Sequence, residues 1–363
     1  MRILFWDLSW AATSSRTCGI LQLHCPRTAL YNRPEIAEVE GVLCWGFQLT
    51  REPPFAIVSN RLEDFTHEKP LARAAQRRGG HLSESSLLVH SMSLPSQQAG
   101  ELQGFSRQEA GWEWMSFFVR RLQPAGVFRT RTENEEAAFV LLGGNCLADW
   151  GQGAQRIGKR KNVFEGFPFT LYLPTQSEVT FTAETPCEIA ECRVPSEARL
   201  APKLITPGDV VSSLRGGGNV SRQIVDVITP LFPADKLMVI EVYTPGGNWS
   251  SYPPHKHDVH NPPTEVDLDE IYYYRIRQSE GFAFQHLYSG EHAGERTLKI
   301  RDGDAVLVRS GYHPVVAGPG YDVYYLNFLA GSSRALAVTE DPQHVWIRST
   351  WNSTDPRLPL VRE

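Results

Sequence analysis

The chain has 363 residues, of which 41% are hydrophobic and 21% charged, and its formal net charge is −5. These values are typical of globular proteins, and the small negative charge provides no basic surface for nucleic acid. No run of 18 apolar residues occurs, so the sequence predicts no membrane-spanning helix. We therefore expect neither a nucleic-acid partner nor a membrane partner.

Residues 1–85 contain short apolar islands without a helical or strand period, and we interpret them as an extension of unknown order. The apolar run Ile3–Trp6 is interrupted by Asp7, which disfavours a signal peptide. Six cysteines without a Cys-x-x-Cys pair favour a reducing compartment over a disulfide scaffold. The predicted location is therefore cytoplasmic.

From Gly111 onward the chain is rich in short β-type runs separated by Gly, Pro and Asn, as in antiparallel sandwiches and barrels. The predicted strands are Trp114–Arg120, Ala138–Leu142, Thr170–Leu173, Val179–Ala183 and Cys187–Cys192, then Leu237–Tyr243, Glu270–Ile276, Phe282–Tyr288, Ala305–Val308 and Tyr321–Phe328. This pattern predicts an all-β protein with two similar units in tandem, over residues 86–210 and 211–363.

Two segments near the middle of the chain stand out from the predicted strands. The glycine-rich stretch Leu214–Asn219 is interpreted as a linker or turn between the units. Ser221–Ile228 has apolar residues on one helical face and ends before Pro230, so we predict a helix there.

The basic run Lys159–Lys161 is interpreted as a solvated turn.

Histidines are concentrated in the second unit, which holds seven of the eleven, and none lies between residues 91 and 254. His255 and His257 are two residues apart, so in a strand both side chains point to the same face. Glu270 begins a predicted strand, and His313 follows another. These four residues are the predicted metal ligands, although Glu265 or Asp269 could replace Glu270.

Three imidazoles and a carboxylate suit a divalent transition metal such as Zn, Mn or Fe. An octahedral ion held by four protein ligands keeps two positions for substrate oxygens. A closed structural zinc site usually employs thiolates, and the second unit contains no cysteine. The pattern therefore predicts a catalytic type of metal site.

The His-x-His pair, the downstream glutamate and the later Gly303–His313 element resemble the signature motifs of cupins. More specifically, the chain resembles the 5-deoxy-glucuronate isomerases of inositol catabolism. The segments that carry this resemblance are Glu241–Asp258, Gly281–Gln285 and Gly320–Asn327, with Ala110–Trp112 and Gly158–Glu165 in the first unit. The resemblance implies a bicupin of two jelly-roll barrels, with a metal-free cupin over 86–210 and a metal-binding cupin over 211–363.

The resemblance also implies a function, the aldose–ketose isomerisation of the sugar acid 5-deoxy-glucuronate to 5-dehydro-2-deoxy-gluconate. A divalent metal would stabilise the negative charge that develops on oxygen. Glu270 and Glu265 are the candidates for the catalytic base.

The predicted substrate-binding residues are Gln285, Tyr325, Lys256 and Arg275. Strand alternation favours the first two, because Lys256 and Arg275 would point away from the metal in ideal strands.

Three other functions fit parts of the same pattern. A 4-deoxy-5-keto-uronate isomerase of pectin breakdown is the nearest, but the long segment between His257 and Glu270 disfavours it. A metal-dependent cupin dioxygenase would employ the same ligands with Fe(II) and O₂. A sugar-binding or storage cupin would not need to retain all four ligands. By analogy with the fold, the protein is expected to form a homo-oligomer.

Overall fold

The computed structural model describes residues 87–92, 94–290 and 294–363. Within these ranges the regular structure is almost entirely β-strand, which confirms the predicted all-β class. The described helices are α1 (Arg107–Ala110) and three 3-10 turns at Pro207–Asp209, Gly218–Val220 and Val345–Thr350. None of them has the length and apolar character needed to cross a membrane. The predicted extension at 1–85 lies outside the described residues.

Twenty-three strands make up the fold of the described ranges. The first eleven are β1 (Leu88–Val89), β2 (Gly100–Phe105), β3 (Ser116–Leu122), β4 (Val127–Arg131), β5 (Glu135–Gly143), β6 (Cys146–Asp149), β7 (Gln155–Ile157), β8 (Thr170–Leu173), β9 (Glu178–Ala183), β10 (Cys187–Pro195) and β11 (Lys203–Ile205). The others are β12 (Val211–Arg215), β13 (Arg222–Ile228), β14 (Met238–Thr244), β15 (Trp249–Ser250), β16 (His255–Lys256), β17 (Leu268–Ile276), β18 (Ala283–Leu287), β19 (Arg296–Ile300), β20 (Ala305–Val308), β21 (Val315–Ala317), β22 (Val323–Gly331) and β23 (Thr339–Glu340).

Two antiparallel sheets form a first sandwich. Sheet I has the strand order β11-β8-β5-β10-β3-β2, and sheet II has the order β4-β9-β6-β7. Their inner faces share a hydrophobic core in which the rings of Phe139 and Phe181 lie 5.3 Å apart. Buried residues alternate with exposed or half-buried ones, as in β9, so each strand of sheet II has one face for this core.

A second sandwich holds the histidine-rich part of the chain. Sheet III has the order β1-β20-β17-β22-β14-β13-β12, sheet IV has the order β15-β21-β18-β19, and β16 pairs with β23 beside them. The core between sheets III and IV contains the inward side chains of β17, Tyr272, Tyr274 and Ile276.

The outer face of sheet III packs against sheet I. Ile271 and Tyr273, which alternate with the inward residues of β17, belong to this shared core. The Phe117 ring of sheet I lies 5.7 Å from the Tyr273 ring and 5.9 Å from the Phe328 ring. Both faces of β17 are therefore buried, so the strand is held rigidly beneath the predicted site.

The predicted helix at Ser221–Ile228 is wrong, because this segment forms strand β13. It pairs with β12 on one side and β14 on the other. Ile224, Val225 and Val227 are β-branched, and tertiary pairing outweighs the helical spacing of the apolar residues. The glycine-rich stretch is the turn between β12 and β13, both in sheet III, and is therefore not a linker between sandwiches.

The predicted division of the chain at residue 210 stays a prediction, with one observed difference. Leu88 and Val89 lie in the predicted first unit, yet β1 pairs with Val306 and Ala305 of β20 in sheet III. A short strand from the start of the described chain thus completes the second sandwich.

Candidate metal centre

Three of the four predicted ligands come together inside the second sandwich. One ligand atom each from His257, Glu270 and His313 lies within 4.8 Å of the others, and all three residues are buried. His257 Nε2 is 2.9 Å from Glu270 Oε2, and His313 Nε2 is 3.3 Å from the same oxygen. We call this group the His/Glu cluster.

His255 lies at the edge of the His/Glu cluster and is half-buried. Its ring centroid is 4.8 Å from that of His313 and 6.3 Å from that of His257. The short strand β16 positions it by pairing His255 with Glu340. All four predicted metal ligands are therefore neighbours.

Each imidazole is oriented by a backbone carbonyl. The Nδ1 atoms lie 3.4 Å from Pro253 O for His255, 3.0 Å from Leu268 O for His257 and 2.9 Å from Gly311 O for His313. A carbonyl oxygen can accept a hydrogen bond only from a protonated Nδ1. In the neutral imidazole the lone pair is then on Nε2, where it can bind a cation. Protein ligands to metals are oriented in the same way.

The buried Nε2 of His313 has no hydrogen-bond partner among the described residues. With its proton on Nδ1, this nitrogen presents a lone pair to the carboxylate of Glu270, so two acceptors face each other. A divalent cation satisfies both lone pairs at once, because imidazole and carboxylate are ligands for Zn, Mn and Fe. The residues present therefore fit a metal ion.

Charges within the His/Glu cluster move the pKa values in opposite directions. Burial would raise the pKa of Glu270, but the neighbouring imidazoles of His257 and His313 lower it to about 2. Burial would likewise lower the pKa of His257, yet its hydrogen bond with Glu270 raises it above the ordinary value. For His255, burial and then the two neighbouring imidazoles lower the pKa to about 3. Glu270 is thus the anionic centre of the cluster.

The loop that carries His313 depends on a glycine. Gly311 has φ +81°, and a Cβ there would lie 2.5 Å from the carbonyl oxygen of Tyr288. Its N–H donates to Asp258 Oδ2 at 2.8 Å, and Asp258 Oδ1 accepts from Lys256 Nζ at 2.5 Å. Lys256 and Asp258 therefore hold the His313 loop in place from outside the cluster.

Glu265, the alternative ligand and base, is not part of the His/Glu cluster. Its Oε1 accepts hydrogen bonds from Lys256 Nζ at 2.8 Å and from the backbone N–H groups of Asp258 and Val259. Asp269 lies on the other face of β17, where it accepts from the Trp114 N–H at 3.0 Å. The structure therefore brings Glu270, and neither alternative, to the histidines.

The two cations predicted to bind substrate, Lys256 and Arg275, have carboxylate partners outside the His/Glu cluster. Lys256 is engaged by Asp258 and Glu265 outside the cluster. Arg275 points away from the core between sheets III and IV and pairs with Glu188 of sheet I at 2.6 Å and Asp302 at 3.0 Å. Strand alternation explains both positions, since each residue is adjacent in sequence to residues that face the centre.

Gln285 and Tyr325 do face the interior of the second sandwich. Gln285 Oε1 accepts from the Tyr274 hydroxyl at 2.8 Å, and its Nε2 donates to His313 O at 3.3 Å. The hydroxyls of Tyr325 and Tyr272 lie 3.2 Å and 2.9 Å from Ser251 Oγ. Their assignment to substrate binding stays a prediction.

Tyr272 and Ser251 are site residues that sequence reasoning missed. The Tyr272 ring lies 5.8 Å from the His313 ring. Its position two residues after Glu270 on the same face was the available signal. Ser251 has φ +50° in the loop before the histidine pair, and nothing in the sequence pattern indicates that conformation.

Comparison with known proteins identifies sequence relatives over the described part of the chain. The model of the KduI/IolB family matches residues 88–347. A 5-deoxy-glucuronate isomerase from Geobacillus thermodenitrificans is 40% identical over 252 residues, which are 69% of this chain and 92% of that protein. The enzyme of the same name from Bacillus subtilis strain 168 is 35% identical over 64% of this chain and 88% of its own length.

Solved structures share the fold. An IolB-like protein from Salmonella typhimurium LT2 has a TM-score of 0.69 and 35% identity, with 72% of this chain and 98% of that chain covered. An oxalate decarboxylase structure has a TM-score of 0.51 at 12% identity, with 78% of this chain and 89% of that chain covered, a likeness of fold alone. The predicted tandem cupin fold is confirmed by these neighbours.

Proposed function

Because the chain belongs to the KduI/IolB family, we propose that it isomerises 5-deoxy-glucuronate to 5-dehydro-2-deoxy-gluconate in the degradation of myo-inositol. The observation that carries the proposal is the His/Glu cluster, in which a buried His313 Nε2 without a partner faces Glu270. The Geobacillus and Bacillus relatives are named 5-deoxy-glucuronate isomerases, which favours this substrate over the 4-deoxy-5-keto-uronate of pectin breakdown.

The isomerisation removes a proton from the carbon beside the aldehyde and returns one to the aldehyde carbon, and the proton of the neighbouring hydroxyl passes to the aldehyde oxygen. Negative charge develops on these two oxygens between the proton transfers. A divalent metal held by His255, His257, Glu270 and His313 would supply Lewis-acid stabilisation of that charge. The chemistry requires no redox step, so any of the candidates Zn, Mn and Fe would serve as the Lewis acid.

Glu270 is the carboxylate we assign to the proton transfer. Its Oε2 faces His257 and His313, whereas its Oε1 makes no hydrogen bond with the described residues. The two neighbouring imidazoles lower its pKa to about 2, so it is deprotonated at neutral pH, as a proton acceptor must be. Glu265 is occupied by Lys256 and two backbone N–H groups, which disfavours it as the base.

The remaining polar groups hold the site in shape and exclude water. Gln285 links the Tyr274 hydroxyl to the backbone at His313, and Ser251 links the hydroxyls of Tyr272 and Tyr325. All five side chains are buried. In this proposal the Tyr325 hydroxyl also donates a hydrogen bond to the sugar acid.

We further propose that the protein is a cytoplasmic homo-oligomer without nucleic-acid or membrane partners.

The test is turnover of 5-deoxy-glucuronate by the purified chain after its metal content has been measured by elemental analysis. We expect isomerisation without O₂ consumption and weaker activity on 4-deoxy-5-keto-uronate. Oxygen consumption would favour a dioxygenase, and binding without turnover would favour a sugar-binding cupin. Size-exclusion chromatography with light scattering tests the homo-oligomer.

His313→Ala should abolish both bound metal and turnover while the circular dichroism spectrum stays that of a β protein. The matched control is His286→Ala, because His286 lies on the outward face of β18 and bonds Thr297 Oγ1. Full activity in a metal-free His313→Ala protein would contradict the mechanism.

A further inference from the structure

A half-buried arginine at the start of β13 faces the interior of the second sandwich. Arg222 lies two residues before Ile224, whose side chain is part of the core between sheets III and IV, so strand alternation places both on the inner face. The intervening Gln223 points to the other face, where it bonds Ser212 and the backbone of Val361. The inner surface therefore carries a cation.

Arg222 has no carboxylate within 4.0 Å among the described residues. Its Nη1 donates to Val220 O at 3.2 Å, which is a single neutral partner for a five-donor group. In contrast, the fully buried Arg160 has a two-point ion pair with Glu241, at 2.7 Å and 3.1 Å. A half-buried guanidinium without an anion is costly unless a ligand supplies one.

The neighbours of Arg222 do not compensate its charge. Arg215, which is opposite Arg222 in the β12–β13 ladder, has Asp226 as its own partner at 3.7 Å. Arg348 nearby pairs with Glu340. Burial lowers the pKa of Arg222, the hydroxyls of Tyr325 and Tyr272 oppose this shift, and the two arginines add to it. The surroundings are thus electropositive.

A polar tract connects this end of the interior with the His/Glu cluster. Thr244 lies opposite Val323, an inward core residue, and its fully buried Oγ1 has no hydrogen-bond partner in the described ranges. Next along the tract, the Tyr325 and Tyr272 hydroxyls share Ser251 Oγ, and the Tyr272 ring reaches within 5.8 Å of the His313 ring. An unpartnered buried hydroxyl is what a hydroxylated ligand would satisfy.

We propose that Arg222 binds the carboxylate of the sugar-acid substrate and so positions the reacting carbons at the His/Glu cluster. This inference rests on the proposed function and gives it a basis for substrate choice. A guanidinium and a carboxylate form two parallel charge-assisted hydrogen bonds, which a neutral sugar cannot replace. Arg222 is then a specificity-determining residue, and it takes the role that sequence reasoning assigned to Lys256 and Arg275.

The experiment compares Arg222→Gln with the wild type on 5-deoxy-glucuronate and on its uncharged amide. We expect kcat/KM for the acid to fall about 10- to 100-fold, mainly through KM, as for the loss of hydrogen bonds to a charged group. Turnover of the amide should change less than about 3-fold, and bound metal should stay the same. Arg222→Lys keeps the charge without the planar two-point contact, so its kcat/KM for the acid should lie between those of the wild type and Arg222→Gln.

Arg215→Gln is the matched control, since it removes the same charge from the residue directly opposite. We expect an effect below about 3-fold on either substrate. If Arg222 only supports the turn through Val220, Arg222→Gln will reduce the acid and amide rates equally and lower the melting temperature. That result, or an unchanged KM for the acid, overturns the proposal.

A binding measurement separates this inference from the proposed function. Calorimetry with glucuronate and glucuronamide on the metal-loaded chain reports carboxylate recognition even when the wild type does not isomerise 5-deoxy-glucuronate. Tighter binding of glucuronate that is lost in Arg222→Gln supports the inference. Equal binding of both probes by the wild type overturns it.

Discussion

Glu265 and Glu270 are both buried, and their surroundings give them different roles. Glu265 accepts hydrogen bonds from one ammonium and two backbone N–H groups, so its charge is already compensated. Glu270 faces imidazoles whose Nδ1 atoms are engaged by backbone carbonyls. At the scale of single residues, the carboxylate whose charge is not already compensated by an ammonium group is the one that can bind a cation.

We expect Glu270→Gln to lose bound metal and activity, whereas Glu265→Gln keeps stoichiometric metal. Loss of a direct ligand should cost more than the roughly 10- to 100-fold in affinity that an outer partner contributes. Metal titration with a competing chelator measures both variants. Metal loss in Glu265→Gln with retention in Glu270→Gln would reverse the assignment.

At the scale of elements, β14 connects the two sandwiches through one buried carboxylate. Glu241 pairs with Arg160, which precedes β8 of sheet I, and also accepts from the hydroxyls of Tyr243 and Tyr324, each at 2.8 Å. The basic run Lys159–Lys161 was interpreted as a solvated turn, but Arg160 is buried. Its partner comes from 81 residues later in the chain, so local sequence could not indicate it.

Glu241→Gln should destabilise the protein by about 3–5 kcal/mol, because it leaves Arg160 buried without a countercharge. The matched control is Glu178→Gln, which breaks the exposed ion pair with Arg129 and should cost less than about 1 kcal/mol. Urea denaturation followed by tryptophan fluorescence compares the two. Equal loss of stability in both variants would contradict a special role for the buried pair.

At the scale of the whole molecule, metal binding and folding are coupled through the protonation of His257. Metal ligands must be deprotonated, and the hydrogen bond with Glu270 raises the pKa of His257 in the metal-free protein. At pH values below the raised pKa, a proton therefore competes with the metal for His257. The His257–Glu270 pair stabilises the metal-free fold while Glu270 is ionised and His257 is protonated. The contribution of His257 is lost as pH rises through its raised pKa.

Removal of the metal should lower the melting temperature, and by more at pH 8 than at pH 6. The bound ion stabilises the fold by an amount that grows with its affinity, which rises as His257 loses its proton. Differential scanning calorimetry with and without chelator at each pH measures the difference. His313→Ala should show no chelator effect at either pH, and a larger effect at pH 6 would contradict the linkage.

The sequence by itself determined the class of fold and the three histidines of the candidate site, and it left the choice of carboxylate open. Short β-type runs separated by Gly, Pro and Asn indicate an all-β chain, and the spacing of His255, His257, Glu270 and His313 makes a shared site possible. These are local patterns, which the chain retains whatever it packs against.

Only the tertiary structure decided which of several possible partners meet. Ser221–Ile228 carries a helical pattern, yet pairing with β12 and β14 makes it a strand and turns Arg222 inward. Arg275 was a candidate for substrate binding from the sequence, whereas in the structure it forms an ion pair with Glu188 of sheet I. Both outcomes depend on contacts between residues far apart in sequence, and burial and charge compensation are set by those contacts.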